Sequence, residues 1–357
     1  MVYYPRDKNM ALTDAFLKDI GVDLGTANSL VYLKHRGIVV NEPSIAAVNL
    51  KTNQIIAVGD EAKRMLGRTP AHINVVRPLV NGVISDFDMA QELLHQFLKK
   101  ISKGHLFSFR RAVLGIPNDL TEVERKSVED AAMNAGATRV HLVESPVAAA
   151  LGANLPIDAP TASLIIDIGG GTVDIAVISM GGTVVSRTLK VAGDRFNEDI
   201  IRYVRDEYRL AIGEATAEAA KIAVGSAVPL DGRLEIAVRG RDLATGLPRE
   251  IMLKNNHVRA ALAKSLHTII DSVKEVIEAT PPELVGDMLS HGIYLCGGGA
   301  LLRGLDQLIE HETQVATRVV DDPLTCLARG LGMMVENFDR YGELLDNPLK
   351  PLNITLT

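Results

Sequence analysis

From Leu164 to Val177 the chain reads Leu-Ile-Ile-Asp-Ile-Gly-Gly-Gly-Thr-Val-Asp-Ile-Ala-Val, two β-branched apolar runs on either side of a glycine tip. The pattern predicts a β-hairpin whose tip is almost bare backbone. Gly169, Gly170 and Gly171 let several N–H groups converge on one anion without side-chain clash, and Thr172 adds a hydroxyl donor beside them. Phosphate suits such a tip. A carboxylate next to it would repel phosphate unless a cation lay between, which makes Asp167 a candidate for holding the waters of a Mg2+. Taken alone, the same tip could serve only as a tight turn that needs positive φ angles.

A second copy favours the phosphate alternative. Ile20-Gly21-Val22-Asp23-Leu24-Gly25-Thr26-Ala27-Asn28 repeats the order apolar run, Asp, apolar, Gly, small hydroxyl residue, and the apolar stretch Ser29 to Leu33 follows. Thr26, Ala27 and Asn28 become phosphate-binding candidates and Asp23 a second metal candidate. Two such hairpins imply a duplicated fold with a nucleotide between the halves. They resemble the first and second phosphate loops of the actin, Hsp70 and sugar kinase superfamily, most closely those of the MreB family of bacterial actins. The resemblance runs from Asp19 to about Arg340. It implies an α/β, actin-like fold built from a duplicated ribonuclease H-like unit, two lobes of two subdomains each, with ATP and Mg2+ in the cleft. On that plan residues 1–18 are an N-terminal tail, and 19–160 the first lobe with a small inserted subdomain at about 38–80. Residues 161–340 form the second lobe with an insert at about 198–255, and 341–357 a C-terminal tail packing on the first lobe.

Composition narrows the class. At 357 residues and 47% hydrophobic content the chain can bury two cores, and a net charge of −6 argues against a nucleic-acid partner. Cys296 and Cys326 are too few for a disulfide framework and lack metal-ligand spacing, so a reducing, cytoplasmic setting is expected. Pro5, Arg6, Asp7 and Lys8 interrupt the N-terminus, which leaves no signal-peptide or membrane-spanning core there. An amphipathic anchor and a disordered tail both fit residues 1–18, and a short helix from Thr13 would be marginal alone. Neither a GxxxxGK[ST] loop nor a GxGxxG between a first strand and helix is present.

Further along, Ile38 to Val48 and Gln54 to Val58 read as strands, and Val58-Gly59-Asp60-Glu61-Ala62-Lys63 is similar to the family's junction between its small sheet and the nucleotide domain. Pro78 to Phe87 resembles the segment beneath the γ-phosphate, with Asn81 where the family usually has Asp. Asp88 to Lys100 has the apolar period of a helix. His105 to Arg111 follows, placing Leu106 and Phe107 beside Arg110 and Arg111. Burial is the usual fate of Leu and Phe, yet loops run over surfaces and the arginines suit anionic headgroups. In the MreB family the matching pair enters the bilayer, which implies the same for Leu106 and Phe107.

Thr121-Glu122-Val123-Glu124 is a capping box opening a helix that stops at Gly136, with Glu122, Arg125, Lys126 and Glu129 on its charged face. That face reads as solvated; the resemblance implies pairing of antiparallel protofilaments through it. Ser145 and Pro146 make a favourable helix start on physical grounds alone. The family usually carries Glu just before this proline to position the attacking water, whereas here Glu144 is displaced by one and Ser145 stands in its place. Ser145, Glu144, Thr172 and Asn81 are therefore the catalytic candidates. Ile212 to Lys221 resembles the adenine- and ribose-contacting segment, with Glu218 and Lys221 as candidates. Ile293 to Cys296 reads as a strand running through Gly297, Gly298, Gly299 and Ala300 into a helix, which would pack backbone against a purine and bring a helix N-terminus near phosphate.

The resemblance implies an ATP-binding protein that polymerises into filaments on the inner membrane face, organises cell-wall synthesis with the elongation machinery, and maintains rod shape. Its ATP hydrolysis should be slow. The rivals are an Hsp70-like chaperone ATPase and a small-molecule kinase of the same superfamily.

Overall fold

The computed structural model describes residues 18–101, 109–232 and 234–346. The chain divides into two compact units. The first holds described residues up to Ile116, Leu120–Glu144 and those from Leu327 on; the second holds Pro117–Asp119 and Ser145–Cys326.

The first unit runs β1 (Lys18–Leu24), β2 (Asn28–Leu33), β3 (Gly37–Pro43), β4 (Ala46–Asn49), β5 (Gln54–Val58), α1 (Asp60–Met65), β6 (Ile73–Val76), β7 (Leu79–Val80) and β8 (Val83–Ile84). It continues through α2 (Phe87–Ile101), β9 (Phe109–Ile116), α3 (Glu122–Asn134) and β10 (Val140–Glu144). Its main sheet has the order β10-β9-β1-β2-β3. β1 is antiparallel to β2 and parallel to β9, so it is central and buried on both faces, as its run Ile20-Gly21-Val22 requires. In α2, Ala90, Leu93, Leu94, Phe97, Leu98 and Ile101 are buried at helical spacing. The Thr121 capping box forms: the Thr121 hydroxyl accepts from the Glu124 N–H, and the Thr121 N–H donates to the Glu124 carboxylate at 2.7 Å.

At the start of β1, Asp19 is 2% exposed and receives the Arg110 guanidinium on both oxygens and Arg111 on one. Burial alone would raise its pKa, but the hydrogen bonds from the two arginines outweigh it and hold the carboxyl below its ordinary value. Asp19→Asn is expected to destabilise the protein by about 2 kcal/mol at neutral pH. Because the folded pKa is depressed, that stability is present above the unfolded value and lost as pH falls through the folded one, so the two proteins should converge in acid. Urea melts at pH 7 and pH 3 test this, and equal midpoints at pH 7 would contradict it.

The second unit runs α4 (Ser145–Gly152), β11 (Ser163–Ile168), β12 (Val173–Ser179), β13 (Gly182–Leu189), α5 (Gly193–Tyr208), β14 (Leu210–Ala211), α6 (Glu214–Val224), β15 (Glu235–Asp242) and β16 (Pro248–Lys254). Then come α7 (Asn255–Ala279), α8 (Pro282–His291), β17 (Ile293–Cys296), α9 (Leu305–Thr313) and β18 (Thr317–Val319). Its main sheet, β13-β12-β11-β17-β18, repeats the first unit's order of two antiparallel and two parallel neighbours around the first strand. The described part of the chain ends with α10 (Cys326–Glu336), which belongs to the first unit from Leu327 on, and α11 (Phe338–Asp346), where Arg111 lies over the Phe338 ring at 3.8 Å. Among the described residues no helix is long and apolar enough to cross a membrane. Leu106 and Phe107, like residues 1–17, lie outside the described residues.

Candidate functional site

In the second unit, the β11–β12 ladder places Asp167 directly across from Asp174, and Gly169 N–H closes the tip on the Thr172 carbonyl at 2.9 Å. The start of α5 holds this tip from behind. Gly193 N–H donates to Gly169 O at 3.1 Å and Asp194 N–H to Gly170 O at 2.8 Å. The loop's carbonyls are thereby drawn to α5, and among the described residues the N–H groups of Gly170 and Gly171 have no backbone acceptor. Such a tip offers donors to an anion.

Lys221 of α6 reaches the same corner: its ammonium donates to Gly193 O at 3.0 Å and to Glu218 at 2.7 Å, and Asn197 donates to the same Glu218 oxygen at 2.7 Å. On the other side of Asp167 lies β17, in register through Cys296. Gly297 has φ +77, and a Cβ there would fall 2.3 Å from Asp167 Oδ1, so only glycine meets both demands. Gly298 to Leu301, which includes Gly299 and the buried Ala300, form one 3-10 turn, and α9 begins only at Leu305. The order strand, glycine turn, helix follows the sequence pattern.

Burial pushes the Asp167 carboxyl up to about 6, against the pull of the Cys296 thiol hydrogen-bonded to it. Asp174 is pushed up to about 7, mainly by burial and further by the charges of Asp167 and Asp119, while hydroxyls of Thr188 and Thr172 work the other way. Thr188 Oγ1 donates to Asp174 at 2.5 Å and Thr172 Oγ1 at 3.2 Å, so the Thr172 hydroxyl faces Asp174 here. Sequence reasoning passed over Asp174. Its signal was a lone charge inside the otherwise apolar strand Val173–Ile178. Two desolvated carboxylates without a cationic partner in the described contacts, supplying only oxygen donors, fit a hard divalent cation.

In the first unit, Asp23 lies across from Leu30, and a Cβ on Gly25 would fall 2.7 Å from Asn28 O. Ser44 braces the tip: its hydroxyl donates to Gly25 O at 2.5 Å and its N–H to Ala27 O at 2.9 Å. Asn28 donates its side-chain amide to Asn41 on the neighbouring strand at 3.1 Å. Thr26 is buried, and its hydroxyl accepts from Gly82 N–H at 3.0 Å.

That bond docks the β7–β8 hairpin, whose two turn residues, Asn81 and Gly82, have φ +51 and +79. Asn-Gly at positive φ is the preferred two-residue hairpin turn, so backbone geometry accounts for Asn81 where the family usually has Asp. Asn81→Ala is expected to cost about 1 kcal/mol and Asn81→Gly almost nothing, read from denaturant midpoints. Equal midpoints for the two variants would refute a backbone role. The boundary between the units falls between the catalytic candidates Glu144, half-buried at the end of β10, and Ser145, buried as the first residue of α4.

A family model described as MreB/Mbl protein matches residues 17–343. The cell shape-determining protein Mbl of Bacillus subtilis (strain 168) is 46% identical over 325 residues, which is 91% of this chain and 98% of that protein. The cell shape-determining protein MreB of Escherichia coli (strain K12) is 46% identical over 332 residues, 92% of this chain and 96% of its own. The crystal structure of MreB5 of Spiroplasma citri bound to AMPPNP superposes with a TM-score of 0.88 at 41% identity, covering 92% of this chain and 98% of that one; the same protein has been solved with ADP. One strand order used twice, an aspartate and a glycine tip at the end of each first strand, and matches of this extent place the chain, with its actin-like fold, in the MreB/Mbl family.

Proposed function

We propose that this chain binds Mg2+-ATP and polymerises into filaments on the inner face of the cell membrane, where with the wall-elongation machinery they organise cell-wall synthesis and maintain rod shape. The observation that carries the proposal is the Gly169–Thr172 tip, whose Gly169 and Gly170 carbonyls α5 holds while the N–H groups of Gly170 and Gly171 have no backbone acceptor among the described residues, with Lys221 and two desolvated carboxylates around it. The relative solved with AMPPNP and with ADP and the cell-shape function named for the curated relatives support it.

On this reading Gly169, Gly170 and Gly171 cradle phosphate in the second unit, and Thr26, Ala27 and Asn28 serve the same end in the first. Glu218 and Lys221 take the ribose side and Gly297 to Ala300 the purine. Asp167 and Asp23 would hold the waters of a Mg2+, which supplies neutralisation of the terminal phosphates when bound. Binding and orientation are well provided, whereas Ser145 and Asn81 supply no base, so turnover is slow.

Sedimentation with and without Mg2+-ATP tests the core of the proposal, since only a filament former pellets on nucleotide addition. Membrane contact is assigned to Leu106 and Phe107. Burying each side chain is worth about 1.5 to 3 kcal/mol, and a polymer multiplies such contacts along its length. Leu106→Ser with Phe107→Ser should leave nucleotide-dependent pelleting intact and abolish co-pelleting with liposomes. If the double variant loses its fold instead, the pair is core.

A further inference from the structure

The small sheet of the second unit has the order β14-β15-β16, but β14 is only two residues long and pairs with Arg241 and Asp242 alone. On its other side β15 pairs with β16 from Glu235 to Arg241 without a bulge. From Glu235 to Arg239 the β14-facing edge therefore has no strand beside it among the described residues. Two hydrogen bonds at the end of β15 fix which groups that edge offers. Asp242 N–H donates to Leu247 O toward β16 at 2.9 Å, whereas Leu243 N–H donates to Arg209 O toward β14 at 2.8 Å. Main-chain groups alternate sides along a strand, so Glu235, Ala237 and Arg239 aim their N–H and C=O groups at the open edge. The edge borders a groove of about 460 Å³ walled by Ala215, Thr216 and Ala219 of α6. Ala215 and Ala219 are exposed and small, which leaves room for a second backbone beside β15.

Charges on an edge strand ordinarily keep other strands away. Here they are self-complementary. A second β15 laid antiparallel and centred on Ala237 sets Glu235 opposite the second copy's Arg239, Ile236 opposite its Val238 and Ala237 opposite its Ala237. In that register every outward donor and acceptor from Glu235 to Arg239 is exchanged between the copies. Within one copy Arg239 pairs with Glu250, and Glu235 lies across from Lys254. The exposed row then reads Glu250, Arg239 and the second copy's Glu235 and Lys254, alternating in sign across the joined sheets. On the other face Leu253 and Ile236 meet the second copy's Val238 and Ile251, an unbroken apolar row. A parallel second strand would set Glu235 beside Glu235 and Arg239 beside Arg239, and β14 occupies the edge beyond Arg239, so the space and the charges select the same register. We propose that two copies of this chain join through the open edges of β15 as an antiparallel pair centred on Ala237, an isologous contact that merges their small sheets into one.

Hydrogen exchange of the full chain without nucleotide tests this, because the contact uses none of the residues assigned to nucleotide and its failure would leave that assignment standing. As protein concentration rises, the amides of Glu235, Ala237 and Arg239 should come to exchange about tenfold more slowly, with Ile236 and Val238, whose N–H groups face β16, as the internal reference. Glu235→Arg sets arginine opposite Arg239, and Arg239→Glu sets glutamate opposite Glu235, so either variant alone should lose the effect. Both positions are exposed, where such changes leave the fold intact. Mixing the two variants restores opposite charges at both ends of the contact and should bring the slow exchange back, which no defect internal to one chain would allow. Ala237→Pro removes the central outward N–H and no bond to β16, and should show no slowing at any concentration. Exchange independent of concentration in the unmodified chain, slowing retained by any of the three variants alone, or a mixture that stays fast would overturn the proposal.

Discussion

Asp167→Asn will be more stable than the unmodified protein in the absence of metal and will bind Mg2+-ATP roughly 10- to 100-fold more weakly. The two effects have one origin. Burial raises the folded pKa of Asp167 to about 6, so the folded state prefers the protonated carboxyl and ionising it at higher pH opposes folding. A shift from 3.8 to about 6 corresponds to up to about 3 kcal/mol. The sign is fixed by linkage: the penalty is absent below pH 4, grows between pH 4 and 6, and is full above. The variant's advantage in metal-free denaturation should follow that curve. Nucleotide affinity moves the other way, because the group that destabilises the empty fold is the one proposed to hold the metal's waters. Titration with Mg2+-ATP and with ATP in a chelator separates the terms. Unchanged affinity with Mg2+ would remove Asp167 from the metal site, and reduced stability without metal would show that the hydrogen bond from the Cys296 thiol outweighs the cost of burying the charge.

Ser145→Glu will release phosphate about 10^2 to 10^4 times faster than the unmodified chain once both are assembled at saturating Mg2+-ATP. In-line attack on the γ-phosphate needs an aligned water and an acceptor for its proton. Asn81 can hydrogen-bond but takes no proton, its place being set by the hairpin turn, and Ser145 has neither the reach of Glu nor basicity near neutral pH. Every residue of α4 from Ser145 to Gly152 is buried, so a glutamate there would be desolvated and its pKa raised, in the direction a general base requires. Ser145→Gln controls for shape, keeping the length without the proton acceptor. A wild-type rate equal to or above that of the Glu variant would show that other residues position the water.

How much the sequence disclosed depends on what each residue answers to. The Asp167 tip, the Thr121 cap and the stripe on α2 obey local rules, and all three are legible from spacing. Glu218 and Lys221 were legible only through resemblance; their link to the start of α5 through Gly193 and Asn197 is tertiary. At Asn81 two rules compete: Asn-Gly is a hairpin-turn signal whatever carboxylate the family carries at that position, and both turn residues have positive φ. A Cβ at Gly297 would meet Asp167 and Ile168, and the pairing between β11 and β17 that brings them there cannot be read from either strand alone. Strands as short as β7, β8 and β18 carry too little pattern to detect.

The pairing of Asp167 with Asp174 has a physiological corollary. Groups that titrate near 6 and 7 and repel one another share protons as a unit, so near neutrality the second tip is only partly charged. Across from Asp23 in the first tip lies Leu30. A fall of one pH unit would therefore discharge the second tip further, and cation loading there would have to expel protons first.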